Sequence, residues 1–388
     1  MQKNLVIFFL CFFSIQSLIA QVNDVKHIIK NIQDKFAPDR RVEVFQIDIS
    51  QKDDTFVLSG ETTSKEAYNE LLMVFKEKHP MIIDSIRLLP DAELGEKTEG
   101  VVYNSVGTIR YAPRYSSELV TQTLLGTPVK ILEKKGGWHR IQTPDNYIGW
   151  INGSIEVMNE IELQEYNEKQ KVIITSIHTT SFEEPDNQSM PVTDLVMGNV
   201  LELKSENNDY YKLIYPDGRE AFVKTSDAKK VDQWLEDIVL TVESIVNLSY
   251  KFKGIPYLWG GTSSKGFDCS GLTKIVYHMH GITLPRDASQ QVSQGRLIDT
   301  ERDFSKLILG DLIFFGSKNP DLNKTDERVV HVGIYLGDNH FIHASDYVRI
   351  NSLNPNDKLF DEFNANRYLR TKRYVENGQI INNIKNEE

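Results

Sequence analysis

A chain of 388 residues with 40% hydrophobic and 26% charged side chains, 23 glycines and 13 prolines has a globular composition. That excludes a disordered, collagenous or coiled-coil protein, and at roughly 100–200 residues per domain the length implies two to four domains. The formal charge of −11 gives no electrostatic reason to hold nucleic acid or an anionic membrane.

At the N-terminus Lys3 precedes an apolar run from Leu5 to Phe13 and then the small residue Ala20. This is the pattern of a secretory signal peptide over residues 1–20. The run is shorter than the ~20 apolar residues of a spanning helix. Leu10 before Cys11 argues against lipid attachment, and no second long apolar stretch follows, so no membrane anchor is expected. A secreted protein, placed in the periplasm, is the expectation. Of the two cysteines, Cys11 leaves with the leader. Cys269 remains a lone thiol in an oxidising compartment, where it must be buried or used.

Residues 22–95 read as a small α+β domain. Val25, Ile28, Ile29 and Ile32 have helical spacing, Val42–Ile49 alternates with period two, and Thr55–Leu58 is a second strand. Ser64 precedes an amphipathic helix carrying Ala67, Leu71, Leu72 and Phe75, and Ser85–Pro90 closes the domain as a strand. The order resembles a BON-type module. No residue in it suggests chemistry, and docking or spacing is its expected role.

An internal repeat follows. Val120-Thr-Gln-Thr-Leu-Leu-Gly126 aligns with Val192-Thr-Asp-Leu-Val-Met-Gly198 at an offset of 72. The same offset carries Trp138 onto Tyr210, Pro144-Asp145 onto Pro216-Asp217 and Trp150 onto Phe222. Short alternating strands, Gly-ended turns and a Pro-Asp hairpin signal predict two small closed barrels. Their layout resembles bacterial SH3-like domains, over residues 97–160 and 165–232.

One helix is expected from Trp234 to Phe252. The composition then shifts to the glycine- and aromatic-rich Tyr257-Leu-Trp-Gly-Gly261 and Gly266-Phe-Asp-Cys-Ser-Gly271. Strands are expected at 311–315, 329–336, 340–343 and 367–374, with Arg370-Thr-Lys-Arg373 a solvated strand edge and 377–388 a polar tail. Helices first and antiparallel strands after is an α+β pattern, spanning 236–376.

Cys269 immediately precedes the helical stretch Gly271–His278. Unpaired backbone N–H groups and the helix dipole favour thiolate at that position, which suits a nucleophile better than a buried structural cysteine. A cysteine nucleophile needs a base and a group that orients the base. His331 lies mid-strand, facing away from Val330 and Val332, with Gly333 leaving room beside its ring. His343 ends the next strand, so neighbouring antiparallel strands would set the two imidazoles side by side. Cys with two His is also a donor set for zinc, but the local ligand pairs of zinc sites are missing, so neither metal nor cofactor is expected.

Tyr257-x-Trp-Gly-Gly261, Phe267-Asp-Cys-Ser-Gly-Leu272, Leu284-Pro-Arg286, Gly310-Asp-Leu312 and His331-Val-Gly-Ile-Tyr335 with His343 resemble the NlpC-type cell-wall cysteine peptidases, compact relatives of papain. The likeness covers about residues 240–375. It implies a papain-like α+β catalytic domain behind two all-β SH3-like barrels and the small α+β domain. It also implies hydrolysis of cell-wall stem peptides between D-glutamate and a diamino acid. Cys269 would be nucleophile, His331 base and His343 its orienting partner, with Tyr257 near the oxyanion.

Paired SH3-like domains in front resemble enzymes that take peptidoglycan stem peptides with a free N-terminal L-alanine. By that likeness Glu118 and Tyr147 of the first barrel, with Asp268 and Ser270 beside the nucleophile, would hold the amine. A buried ammonium needs carboxylates, and such a pocket disfavours substrates lacking the charge. The offset puts Met190 and Arg219 at the matching positions of the second barrel, which reads as a spacer. The rival readings are an endopeptidase on intact wall, a non-catalytic wall-binding protein, and a thiol acyltransferase on the same scaffold.

Overall fold

The computed structural model describes residues 24–52, 55–78, 82–318 and 327–381. The expected signal peptide lies outside them. Among the described residues no helix is long and apolar enough to cross a membrane. The chain divides into two compact units, residues 1–95 and 96–388.

In the first unit a helix over 24–36 precedes the antiparallel strands Phe45–Lys52 and Thr55–Thr62. Helix Lys65–Lys78 then carries the chain to strand Ile82–Leu88, which runs parallel to Thr55–Thr62. A parallel return needs such a crossover, and both helices bury Val25, Ile28, Ile32, Leu71 and Phe75 against Phe45, Phe56 and Leu58. The first strand begins at Phe45, later than the alternation from Val42 suggests. Val42 N and Glu43 N both donate to Asp39 O, which holds that stretch in a turn.

The second unit opens with two seven-stranded antiparallel sheets. Strands Glu99–Val102, Val106–Arg110, Leu119–Leu124, Trp138–Gln142 and Ile148–Asn152 recur 72 residues on as Lys171–Ile174, His178–Phe182, Pro191–Val196, Tyr210–Ile214 and Glu220–Lys224. Equivalent strands follow the same order across both sheets. The second sheet packs on the C-terminal domain: its Ile173, with Met197 just beyond strand Pro191–Val196, lies in the same apolar core as Leu272 and Ile275.

The C-terminal domain has a six-stranded antiparallel sheet in the order Arg296–Asp299, Tyr368–Arg373, Leu312–Ser317, Arg328–Gly337, His340–Ser345, Tyr347–Ser352. Helices Val242–Lys251 and Cys269–His278 pack on one face through Ile245, Leu272, Ile275 and Val276, meeting Leu312, Phe314, Val332 and Ile334. Each such fully buried side chain contributes roughly 1.5–3 kcal/mol. Phe315, Tyr335, Phe341 and Tyr368 form the opposite face.

Three local expectations change. The single helix from Trp234 is two, Val231–Glu236 and Val242–Lys251, because Thr241 accepts from Ser244 N and starts the second in a capping box. Arg370–Arg373 is no solvated edge: its strand lies inside the sheet, Thr371 and Lys372 are buried, and Arg373 pairs with Asp311 at 2.8 Å. The expected tail begins as a tight hairpin, Val375 pairing with Ile380 across Asn377-Gly378, both at positive φ.

Candidate active site

Backbones meet closely in front of the Cys269–His278 helix. A Cβ on Gly271 would stand 1.9 Å from Gly261 O, so only glycine lets the first helical turn press on the Gly260-Gly261 turn. Asp268 ties the two together. Its Oδ1 accepts from Gly271 N at 2.7 Å, capping the helix, and its Oδ2 accepts from Gly260 N at 3.0 Å. Cys269 is the first residue of that helix and is buried.

His331 pairs with Phe315 in the neighbouring strand, and Val329 with Gly316, which leaves Val330 bulged and exposed. Val329 and Val332 therefore face the core, where simple alternation pairs Val330 with Val332. A Cβ on Gly333 would stand 2.8 Å from the Phe341 ring and 3.4 Å from His343 Cβ. Glycine there lets the next strand bring His343 against His331.

The two rings join a hydrogen-bond chain that fixes their tautomers. His331 Nε2 lies 2.7 Å from His343 Nδ1, and His343 Nε2 lies 2.9 Å from Asn351 Oδ1. Asn351 Nδ2 donates to Leu359 O at 3.1 Å, so its oxygen faces His343 and His343 Nε2 is the donor. Neutral His343 then accepts at Nδ1 from His331 Nε2, and neutral His331 keeps its lone pair on Nδ1. Asn351 went unnoticed in the sequence. The signal for it is a place diagonal to His343 on the adjoining strand, where Asn351 pairs with Phe341 and Arg349 with His343.

Burial keeps the chain of rings neutral. It holds His331 well below the usual imidazole value, helped by His343, Arg367 and Arg349. It pulls His343 down to about 4, against the bond to Asn351 and the charge of Asp361. The Cys269 thiol is pushed up to about 12, by burial and then by Asp268. Hydrogen bonds from the backbone at Val332 and Ser270, and the charge of Arg286, pull only partly the other way. Burial thus opposes the hydrogen bonds and charge that favour thiolate at this helix start. Tyr257 stands close by: burial raises its hydroxyl, and Cys269 and Asp268 raise it further.

The first sheet of the second unit forms one wall. Glu118 Oε1 accepts from Trp259 Nε1 at 2.8 Å, and the Tyr147 hydroxyl donates to Asp287 Oδ2 at 3.4 Å. Arg286, only 1% exposed, donates to Thr121 Oγ1 of that sheet at 2.8 Å and to Ser270 Oγ at 3.0 Å. It also spans Asp268, reaching Oδ1 at 3.1 Å and Oδ2 at 2.5 Å. Arg286 thereby fixes the carboxylate of Asp268 and the hydroxyl of Ser270 beside the nucleophile. Asp287, next to Arg286, stands 3.9 Å from its Nη1 and is partly exposed. Among the described residues no group of three or more His, Cys, Asp or Glu side chains is arranged to hold a metal ion.

Residues 254–369 match the NlpC/P60 family, and residues 109–154 match the bacterial dipeptidyl-peptidase Sh3 domain. A Bacillus cereus protein named gamma-D-glutamyl-L-lysine dipeptidyl-peptidase is 32% identical over 265 residues, 66% of this chain and 76% of that protein. Its Bacillus subtilis namesake is 28% identical, over 68% of this chain and 84% of its own. The crystal structure of an NlpC/P60 family protein from Bacillus cereus has a TM-score of 0.60 at 27% identity, covering 72% of this chain and 100% of that one. Sheet, cleft and likeness agree: this chain belongs to the NlpC/P60 family of peptidoglycan peptidases and carries a bacterial SH3 domain ahead of the peptidase domain.

Proposed function

We propose that the protein is a secreted cysteine peptidase that hydrolyses the γ-D-glutamyl–diamino acid bond of free stem peptides, entering from an N-terminal L-alanine. The observation that carries this reading is the chain from Asn351 through His343 to His331, next to Val332, which packs with Cys269 and hydrogen-bonds it through its backbone. Two relatives named for gamma-D-glutamyl-L-lysine dipeptides support the bond assigned.

The Cys269 proton passes to His331 Nδ1 as sulfur attacks the carbonyl carbon. Burial raises the thiol, so the sulfur needs His331 to take its proton for the attack. The oxyanion is met by Cys269 N–H and the Tyr257 hydroxyl. His331 returns the proton to the leaving amine and the C–N bond breaks, leaving a thioester. Water, deprotonated by His331, cleaves the thioester, releasing the dipeptide acid and restoring the thiol. His343 holds His331 in the tautomer this requires.

His331→Ala is expected to lower kcat/KM by roughly 10²–10⁴-fold. His343→Asn keeps an acceptor for His331 Nε2 and costs less. Because burial lowers the His331 value, the base stays unprotonated in mild acid, and the acid limb of kcat/KM falls below pH ~6.5. Equal and complete loss in both variants, with chelator sensitivity, would favour a metal site.

Glu118 and Asp268, with Tyr147 and Ser270, supply the polar wall for the alanine ammonium. A charge left unpaired in such a site costs about 3–5 kcal/mol. Acetylating the N-terminal alanine should therefore reduce kcat/KM by roughly 10²–10³-fold. Glu118→Ala should narrow the gap by harming the free-amine peptide. Comparable cleavage of free and acetylated tripeptide by the unmodified enzyme would overturn this reading in favour of an endopeptidase on intact wall.

A further inference from the structure

Two guanidinium groups stand near the histidine chain. Arg349 lies directly across from His343 in the strand pair. Its Nη1 reaches Asp346 Oδ2 at 3.2 Å, and that aspartate side chain is 81% exposed, so the pair is weak. Arg349 Nε is buried and bonds to nothing among the described residues. Arg367 precedes Tyr368, which pairs with Phe315, the residue whose ring packs on His331 at 5.8 Å.

Arg367 is held by an amide. Its Nε and Nη2 both donate to Asn364 Oδ1, at 3.0 and 2.8 Å. Asp361 is the nearest carboxylate influence, but its oxygens accept from Asn364 N and Asn364 Nδ2. The Arg367 charge is half-buried, and burial lowers its value. A guanidinium desolvated without an oxygen anion of its own is an unpaid cost in the free enzyme. Arg349 thus adjoins His343, Arg367 precedes the strand residue that packs on Phe315, and the charges of both oppose protonation of the two histidines.

We propose that Arg349 and Arg367 form a carboxylate-binding subsite for the leaving side of the substrate, the diamino acid beyond the scissile bond. This rests on the stem-peptide reading above. The proposed amine site draws on the first SH3-like sheet, whereas Arg349 lies in strand Tyr347–Ser352 and Arg367 just before strand Tyr368–Arg373, so we assign them the departing residue. A planar guanidinium suits a carboxylate through paired N–H donors. On a diamino acid the anion has two sources, the main-chain carboxylate of a terminal residue or a side-chain carboxylate such as that of diaminopimelate. The subsite selects peptides whose leaving residue carries either one.

The test measures binding to Cys269→Ala protein by calorimetry, so that no turnover is needed. The probes are L-Ala-γ-D-Glu-L-Lys, its C-terminal amide, and the C-terminal amide of the diaminopimelate peptide with its side-chain carboxylate intact. The acid should bind roughly tenfold more tightly than the lysine amide. Equal gain by the diaminopimelate amide assigns the side-chain carboxylate as a second source. The double variant Arg349→Gln, Arg367→Gln should erase these differences, and the Lys, Lys variant should keep part of them. Equal affinity for all three probes, or a preference that survives the Gln, Gln variant, overturns the subsite. Loss of discrimination against the N-acetyl peptide alone overturns the amine wall and leaves the subsite standing.

Discussion

The Cys269→Ala protein is expected to fold normally and to lose on the order of 10⁴-fold or more of its peptide hydrolysis. Sulfur is the attacking atom in the reading above, and no neighbour replaces it. Ser270 is the nearest hydroxyl, but it is buried and accepts from Arg286 Nη1 while donating to Asp268 Oδ1. Removing one sulfur from the start of a helix leaves a small cavity, so the stability cost should stay below about 1.5 kcal/mol. The measurement pairs dipeptide release with thermal unfolding. An alanine protein of undiminished activity would sink the mechanism.

The second large effect is on stability. Arg286→Met should destabilise the second unit by about 3–5 kcal/mol, because it leaves the Asp268 carboxylate buried against Gly271 N and Gly260 N without its cation. The Arg286 charge persists despite burial because Asp268 outweighs the loss of water. Thr121 also loses its donor, which loosens the SH3 domain from the peptidase domain. The double variant Asp268→Asn, Arg286→Met removes both charges and should recover much of the loss, since a buried ion pair replaced as a pair is close to neutral. Denaturant unfolding of the wild-type, single and double variants decides this. A single variant within about 1 kcal/mol of wild-type would show that the pair does not hold the cleft wall.

Asp268 illustrates how far local pattern reaches. Its place before the nucleophile marks it as a carboxylate to suspect, but its ion pair with Arg286, eighteen positions on, does not follow from spacing. That pair depends on where the Leu284–Asp287 loop lands relative to the helix start. Asn351 is similar: a polar residue on a strand becomes the end of a proton chain only once His343 is its diagonal neighbour.

The sequence by itself determined the parts that short-range chemistry fixes. Helical and two-residue periodicities marked the elements of residues 24–95, and the offset of 72 marked two sheets of equal strand order, because each repeat folds through contacts within its own span. The family likeness was legible in the glycines around Cys269 and in the spacing of His331 and His343, where backbone approach tolerates few residue types. Tertiary structure alone decided the interior place of Arg370–Arg373, the packing of Ile173 and Met197 into the peptidase core, and the burial that keeps Cys269 and both histidines neutral. Strand order and desolvation are set by residues far apart in the chain, and no local pattern of charge or hydropathy records which of them will meet.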